Sequence, residues 1–244
     1  MKLDSNTVLI TGGASGIGYA LGRRFLAAGS AVIVCGRRAE QLAKVRTECP
    51  ALVTRVCDLA RDEDRVELVR WATAQFPRLN VLVNNAGIQR RVDLRSDDWE
   101  ETRQELAINL EAAIRLSTLL LPQLAKPPQA AIVNVTSGLA HVPLANVPIY
   151  CATKAALRSF TLSLRHQLRE TAIEVIEIAP PAVDTDLGGP GLHTFGVAVD
   201  EFADAACAGL ARGDFEITYG FSRQAANASR AEREEIFRRM NARV

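Results

Sequence analysis

Short apolar, β-branched runs alternate along the chain with longer segments whose apolar residues recur at helical spacing. The runs fall at 8–10, 31–35, 52–56, 81–83, 131–135, 174–178 and 216–218, and predict strands. The helical segments fall at 17–28, 39–47, 63–75, 99–121, 150–169 and 201–210. The strand runs are apolar almost throughout, as in strands covered on both faces. This alternation predicts an α/β fold with a parallel sheet between two helical layers. Right-handed crossovers then give a doubly wound, Rossmann-type sheet of about seven strands.

Two stretches depart from the rhythm. DTDLGGPGLHTFGVAVD, from Asp184, holds four glycines and a proline without a period. It predicts a mobile substrate loop over 184–199. The tail SRAEREEIFRRMNARV predicts a charged helix with Ile236, Phe237 and Met240 on one side, packed on the body of the protein or, alternatively, forming a subunit contact.

Composition narrows the class. The chain has 244 residues, enough for one large α/β domain, and 29 basic against 28 acidic residues give a net charge of +1. That balance points away from nucleic acid and anionic membranes as partners. The cysteines Cys35, Cys49, Cys57, Cys151 and Cys207 are odd in number and form no C-x-x-C pair, so neither a disulfide framework nor a metal site is expected. No linker, repeat or shift in composition divides the chain, so 1–244 reads as a single domain. The first apolar run is too short for a membrane span or signal peptide, and a reducing cytoplasmic setting is expected.

VLITGGASGIGYALGRRFLAAG reads as strand, glycine-rich turn and helix. Gly12, Gly16 and Gly18 allow a tight turn and close backbone approach to a diphosphate. The helix starting near Ile17 aims free N–H groups at those phosphates. At the end of the second strand, dinucleotide sites commonly carry an acid for a ribose hydroxyl. This chain has Gly36, then Arg37 and Arg38. An arginine pairs with a 2′-phosphate, so NADP(H) is expected over NAD(H). Asp58 is placed for an adenine amino group, or alternatively as a turn residue. Asn84 reads as a buried amide between strands or as part of the site, with Ala86 and Gly87 beyond it. Gly12, Asp58, Asn84, Ser137 and Pro180 all fall just past strand C-termini, the edge where open α/β sheets bind ligands.

Tyr150 and Lys154 are four residues apart and share a helix face. An ammonium beside a phenol is expected to lower the phenol pKa from about 10 and tune it for proton exchange with a carbonyl or alcohol oxygen. Ser137 follows the fifth strand, where its hydroxyl can hold the same oxygen. Asn109 sits mid-helix, where asparagine is a poor former, and is expected to hold a water in a proton relay.

On TGGASGIG, NNAG, Asn109, Ser137 and YCATK, the chain resembles the short-chain dehydrogenase/reductase family over almost its whole length. The resemblance implies Ser137, Tyr150 and Lys154 as catalytic, with Asn109 as a fourth member. It implies cofactor contacts from Ser15, Ile17, Leu59, Asn85, Ala86 and Gly87, and from Lys154 and Tyr150 at the nicotinamide ribose. Pro180, Val183 and Thr185 would hold the carboxamide. The family usually has Pro-Gly where this chain has Pro180-Pro181; the second proline removes an N–H and stiffens the turn. NTVLITGG, VTSGLA and the stretch from Arg165 to Thr185 resemble a bacterial subgroup. Some of its members are named for a gene cluster that adds D-alanine to lipoteichoic acid; that name carries genomic context and no chemistry. Family precedent implies a homodimer or homotetramer built on the helices around 110–121 and 150–169.

The expected activity is therefore an NADP(H)-dependent interconversion of a carbonyl and an alcohol on a small molecule. A nucleotide-sensing binding protein on the same fold is the alternative; a cell-envelope scaffold is a third class. His141, Val142, Pro143, Leu144 and His193 are expected near the substrate, with Leu144, Val147 and Ile149 as an apolar wall. Arg90 and Arg91 read as solvated, or alternatively as readers of an acidic substrate.

Overall fold

The computed structural model describes residues 1–95 and 99–242, so the last two residues of the charged tail lie outside the described residues. The strands are β1 (Thr7–Thr11), β2 (Ala31–Gly36), β3 (Val53–Val56), β4 (Val81–Asn84), β5 (Ala130–Val135), β6 (Ile173–Ala179) and β7 (Glu216–Thr218). They form one sheet in the order β3-β2-β1-β4-β5-β6-β7, and every pair is parallel. The winding direction reverses between β1 and β4. Loops leave those two strands in opposite directions, which opens a crevice beyond their C-terminal ends.

Alternate residues along the strands feed two cores. Val8, Ile10, Val32, Val34, Val83 and Val133 face one side, with Leu21 and Phe25 of α1 (Gly16–Ala27) and Phe202 and Ala206 of α7 (Val199–Arg212). Leu9, Ile33, Leu82, Ile132 and Val175 face the other. There they meet Leu68 of α3 (Asp62–Gln75), Leu116 and Leu120 of α5 (Ala112–Leu124) and Leu164 of α6 (Pro148–Gln167). Helices α2 (Ala39–Glu48) and α4 (Trp99–Leu106) complete the crossovers.

Helix ends follow local chemistry. Pro148 opens α6, where a missing N–H costs nothing. Gly213 closes α7 at φ 83°, a left-handed conformation that favours glycine.

The helix expected over 99–121 is not continuous. A π-helical turn, Ala107–Glu111, separates α4 from α5 and carries Asn109. The Ala112 N–H reaches back to the Ala107 carbonyl. Nη2 of the buried Arg65 donates to that same carbonyl at 3.1 Å. Apolar spacing over the flanking turns does not disclose one inserted residue, and such turns cluster at functional sites.

A short helix not expected from the pattern, α8 (Phe221–Asn227), lies against Gly138; its Ser222 hydroxyl donates to the Ala179 carbonyl at 2.5 Å. The tail helix α9 (Arg230–Met240) begins with a capping box between Ser229 and Glu232. Ile236 is buried against Val142 and Ala225, and Met240 packs on them. Phe237 stays 39% exposed. Val142 is thus committed to the tail helix and does not line the substrate side.

Candidate active site

The glycine-rich turn is built so that side chains would not fit. Gly12 has φ 64°, and a Cβ there would sit 2.8 Å from the Ala86 Cα. A Cβ on Gly18 would lie 2.4 Å from the Asn85 Nδ2 and 2.7 Å from the Gly12 carbonyl oxygen. Thr11 stitches the two strand ends together. Its Oγ1 accepts the N–H groups of Asn85 and Ala86, each at 3.0 Å, and donates to the Val83 carbonyl at 3.3 Å. Asn85 Nδ2 donates to the Thr11 carbonyl at 2.9 Å. Ser15, exposed and extended, precedes α1 and makes no side-chain cap, so the N–H groups around Ile17 keep their capacity for an anion. Gly16 adopts φ 53° with Thr185 packed over it.

Arg37 and Arg38 are exposed where β2 meets α2, and Gly36 leaves the strand end open. Gln41 of α2 donates to the Ala14 carbonyl at 3.2 Å, tying this rim to the turn. Asp58 Oδ1 accepts the Ala60 N–H at 3.0 Å, the turn role. Leu59 beside it is buried, and its carbonyl receives Arg65 Nε at 2.7 Å. Asn84 is the strand amide: its Nδ2 donates to Asn134 Oδ1 at 2.8 Å and to Ser117 Oγ at 3.1 Å.

Tyr150 and Lys154 lie one turn apart on α6, 6% and 3% exposed. Lys154 Nζ donates to the Val135 carbonyl at 2.8 Å and stands 5.6 Å from the Tyr150 ring centre. Ser137 Oγ accepts the Leu139 N–H at 3.1 Å, which leaves its O–H to donate. The expectation that Lys154 lowers the Tyr150 pKa is corrected here. Burial pushes the phenol well above its ordinary value, and hydrogen bonding with Ser137 opposes this only in part. Burial also brings Lys154 down to about 8.

The amide of Asn109 is held on both sides by protein. Its Oδ1 accepts the Ile88 N–H at 2.8 Å, and its Nδ2 donates to the Ile88 carbonyl at 2.8 Å and Thr153 Oγ1 at 3.2 Å. Both amide donors are therefore spent on protein, and the side chain is a clamp. Gly87 lies in the same knot; a Cβ there would be 3.4 Å from Asn109 Oδ1 and 3.6 Å from Lys154 Nζ.

The segment after β6 closes the other side. The Pro180 carbonyl accepts the Gly138 N–H at 2.8 Å. Val183 is buried and bridges Val197, so the two ends of the 184–199 loop are pinned together. Leu139, Leu144 and Leu187 pack around Val147, Tyr150 and Cys151 as an apolar wall. Ile149 is not part of it. Burial and the nearby Arg158 and Arg233 hold His141 down at about 4, so it is neutral at pH 7. Arg90 is no solvated arginine: its guanidinium binds the Glu101 carbonyl at 2.6 Å and also Gln104 Oε1.

Sequence reasoning missed Thr11, Gln41, Arg65 and Glu105. Glu105 lies four residues before Asn109, and that helical spacing was the available signal.

Uncapped N–H groups and bare glycines at the sheet's switch point lie beside a buried tyrosine–lysine pair. The residues fit a nicotinamide dinucleotide, since Gly12, Gly16 and Gly18 form a cradle that a Cβ would fill. The family model described as short chain dehydrogenase matches residues 6–192, and the chain belongs to that family. It is 47% identical, over 99% of its length and 98% of the relative, to "Uncharacterized oxidoreductase DltE" of Bacillus subtilis. A short chain dehydrogenase from Burkholderia cenocepacia in complex with NADP superposes with a TM-score of 0.85 at 28% identity, covering 98% and 99% of the two chains. A short-chain dehydrogenase from Sphingobium yanoikuyae in complex with NADPH gives 0.80 at 28% identity, covering 95% and 94%. The protein is an oxidoreductase of the class acting on alcohol and carbonyl groups with a nicotinamide cofactor. Among the described residues, no helix is long and apolar enough to cross a membrane.

Proposed function

We propose that the protein is an NADP(H)-dependent reductase or dehydrogenase that interconverts a carbonyl and an alcohol on a small molecule. The observation that carries this reading is the convergence of Ser137, Tyr150 and Lys154 at the C-terminal edge of β5, beside the glycine cradle. The cofactor supplies or accepts the hydride. Tyr150 Oη gives the substrate oxygen its proton in reduction and takes it back in oxidation. The Ser137 O–H donates to the same oxygen and fixes its position. Lys154 Nζ, 5.6 Å from the Tyr150 ring centre, is placed to hold the nicotinamide ribose beside the tyrosine. The buried phenol is neutral, the form that donates a proton in the reductive direction.

The preference for NADP(H) rests on Gly36 and Arg37. No carboxylate stands at the end of β2 to repel a 2′-phosphate, and an exposed guanidinium is available to pair with it. The loop over 184–199 is the proposed cover of the substrate, with Leu144, Leu187 and Val147 as its apolar floor.

Replacing Tyr150 by Phe tests the mechanism. Turnover on a carbonyl panel with NADPH should fall at least about 100-fold, the size of a lost general acid, while calorimetric binding of NADPH persists. A variant with undiminished rate would sink the assignment.

A further inference from the structure

The two segments that meet around Tyr150 carry no Lys or Arg. Residues 138–149 hold no Asp or Glu either, and His141 among them is neutral at pH 7. In the loop over 184–199 the charged residues are Asp184 and Asp186, both exposed. What the two segments bring instead is apolar. Leu139 and Leu144 from the first and Leu187 from the second pack on Val147, Tyr150 and Cys151. Helix α6 holds this wall in place: Cys151 Sγ accepts the Leu144 N–H at 3.3 Å and donates to the Leu144 carbonyl at 3.6 Å. On the same loop Leu192 and Phe195 stay 44% and 77% exposed, apolar surface still open to water.

The nearby cations are committed elsewhere. Arg90 is bound to α4 through the Glu101 carbonyl and Gln104. Lys154 donates to the Val135 carbonyl at 2.8 Å. Arg158 of α6 stands 3.7 Å from Glu177 and 3.9 Å from Glu216. Arg91 is exposed, in a segment whose Val92 N–H is tied to the Asn146 carbonyl at 3.1 Å. A carboxylate, sulfonate or phosphate on the substrate would find no arginine fork beside the tyrosine.

We propose that the substrate is an uncharged ketone or aldehyde with an apolar chain, and that keto acids and other anions are excluded. The inference rests on the proposed carbonyl–alcohol reading and deepens it. In the reductive direction NADPH gives a hydride to the carbonyl carbon and Tyr150 a proton to its oxygen, leaving an alcohol and NADP. Closing Leu187 over a carboxylate would strip its water and return no cation, with Asp184 and Asp186 of the same sign on that loop. An apolar chain on the same carbonyl gains instead, by about fourfold in affinity for each buried methylene.

A matched pair of probes separates charge from shape. Methyl isobutyl ketone and α-ketoisocaproate share an isobutyl group on the carbonyl and differ in methyl against carboxylate. With NADPH, kcat/KM should favour the ketone by at least about tenfold. Leu187→Arg, which puts a cation into the wall, should move that ratio toward the keto acid by about tenfold or more and leave calorimetric NADPH affinity within about threefold. Saturation-transfer NMR of the NADP-loaded protein reads binding of both probes where no hydride is available. Ketone bound and reduced, with the keto acid left out, is the expected result. Ketone bound but not reduced upholds the apolar pocket and faults the proposed redox reading instead. Preference for the keto acid in either assay, or binding of neither probe, overturns the inference, as does an unmoved ratio in a folded Leu187→Arg. If that variant does not fold, the two assays on the native protein decide.

Discussion

Asn109 holds Ile88 by both ends of its amide, accepting the Ile88 N–H and donating to the Ile88 carbonyl, each at 2.8 Å. The clamp imitates one rung of a sheet between a π-helical turn and the segment after β4. It places Gly87 against Lys154 and anchors the start of the segment that carries Arg90. Through Thr153 it also fixes α6 at the turn holding Tyr150 and Lys154.

Replacing Asn109 by Ala should therefore hurt stability and turnover together. Both backbone groups of Ile88 lose their partner, at a cost of about 3 kcal/mol. Urea unfolding should show that loss, and kcat should drop more than NADPH affinity. Unchanged stability would mean that the clamp is not formed in solution.

Arg37→Ala should weaken NADPH binding by roughly 10–100-fold, the worth of a charge-assisted contact, and leave NADH binding within about twofold. Calorimetric titration with both nucleotides reads the difference. Equal affinity for the two in the native protein would overturn the reading of Gly36 and Arg37 without touching the fold.

Gly18→Ala forces a methyl group against the Gly12 carbonyl, a backbone atom that cannot swing aside. The turn must open, so nucleotide affinity should fall and the midpoint of denaturation should drop by the equivalent of about 1–3 kcal/mol. Gly213→Ala, a control with no atom within 4 Å of the new methyl, pays only for its left-handed φ of 83° and should leave nucleotide binding alone.

Stability should depend on pH through Glu105. Its folded pKa, about 7, lies above the ordinary 4.5. The folded protein therefore holds the proton more tightly than the unfolded chain. The contribution is complete below about pH 4.5 and is lost as the pH rises through 7, by about 3 kcal/mol. Lys154 runs the other way: its pKa is depressed from 10.5 to about 8, so its penalty is relieved only above pH 8. Urea unfolding at pH 5 and pH 7.5 should show a larger fall in the native protein than in Glu105→Gln. Parallel curves would contradict the buried, raised carboxyl.

The chain's own pattern determined the strand and helix order, because fully apolar strand runs and helical periodicity are local properties of covalent spacing. It also placed Gly12, Ser137 and Pro180 at strand ends, and the i, i+4 relation put Tyr150 and Lys154 on one face. Tertiary structure alone decided what those groups experience. Tyr150 is a hindered acid because burial outweighs its hydrogen bond with Ser137, and no spacing rule reports a dielectric environment. Asn109 became a clamp because a π-helical turn, stabilised by Arg65 from another helix, aimed its amide at Ile88. Val142 turned to the tail helix because Ile236 and Ala225 cover it. The burial of Glu105 was likewise beyond the sequence, because it comes from elements packed over it and not from its spacing.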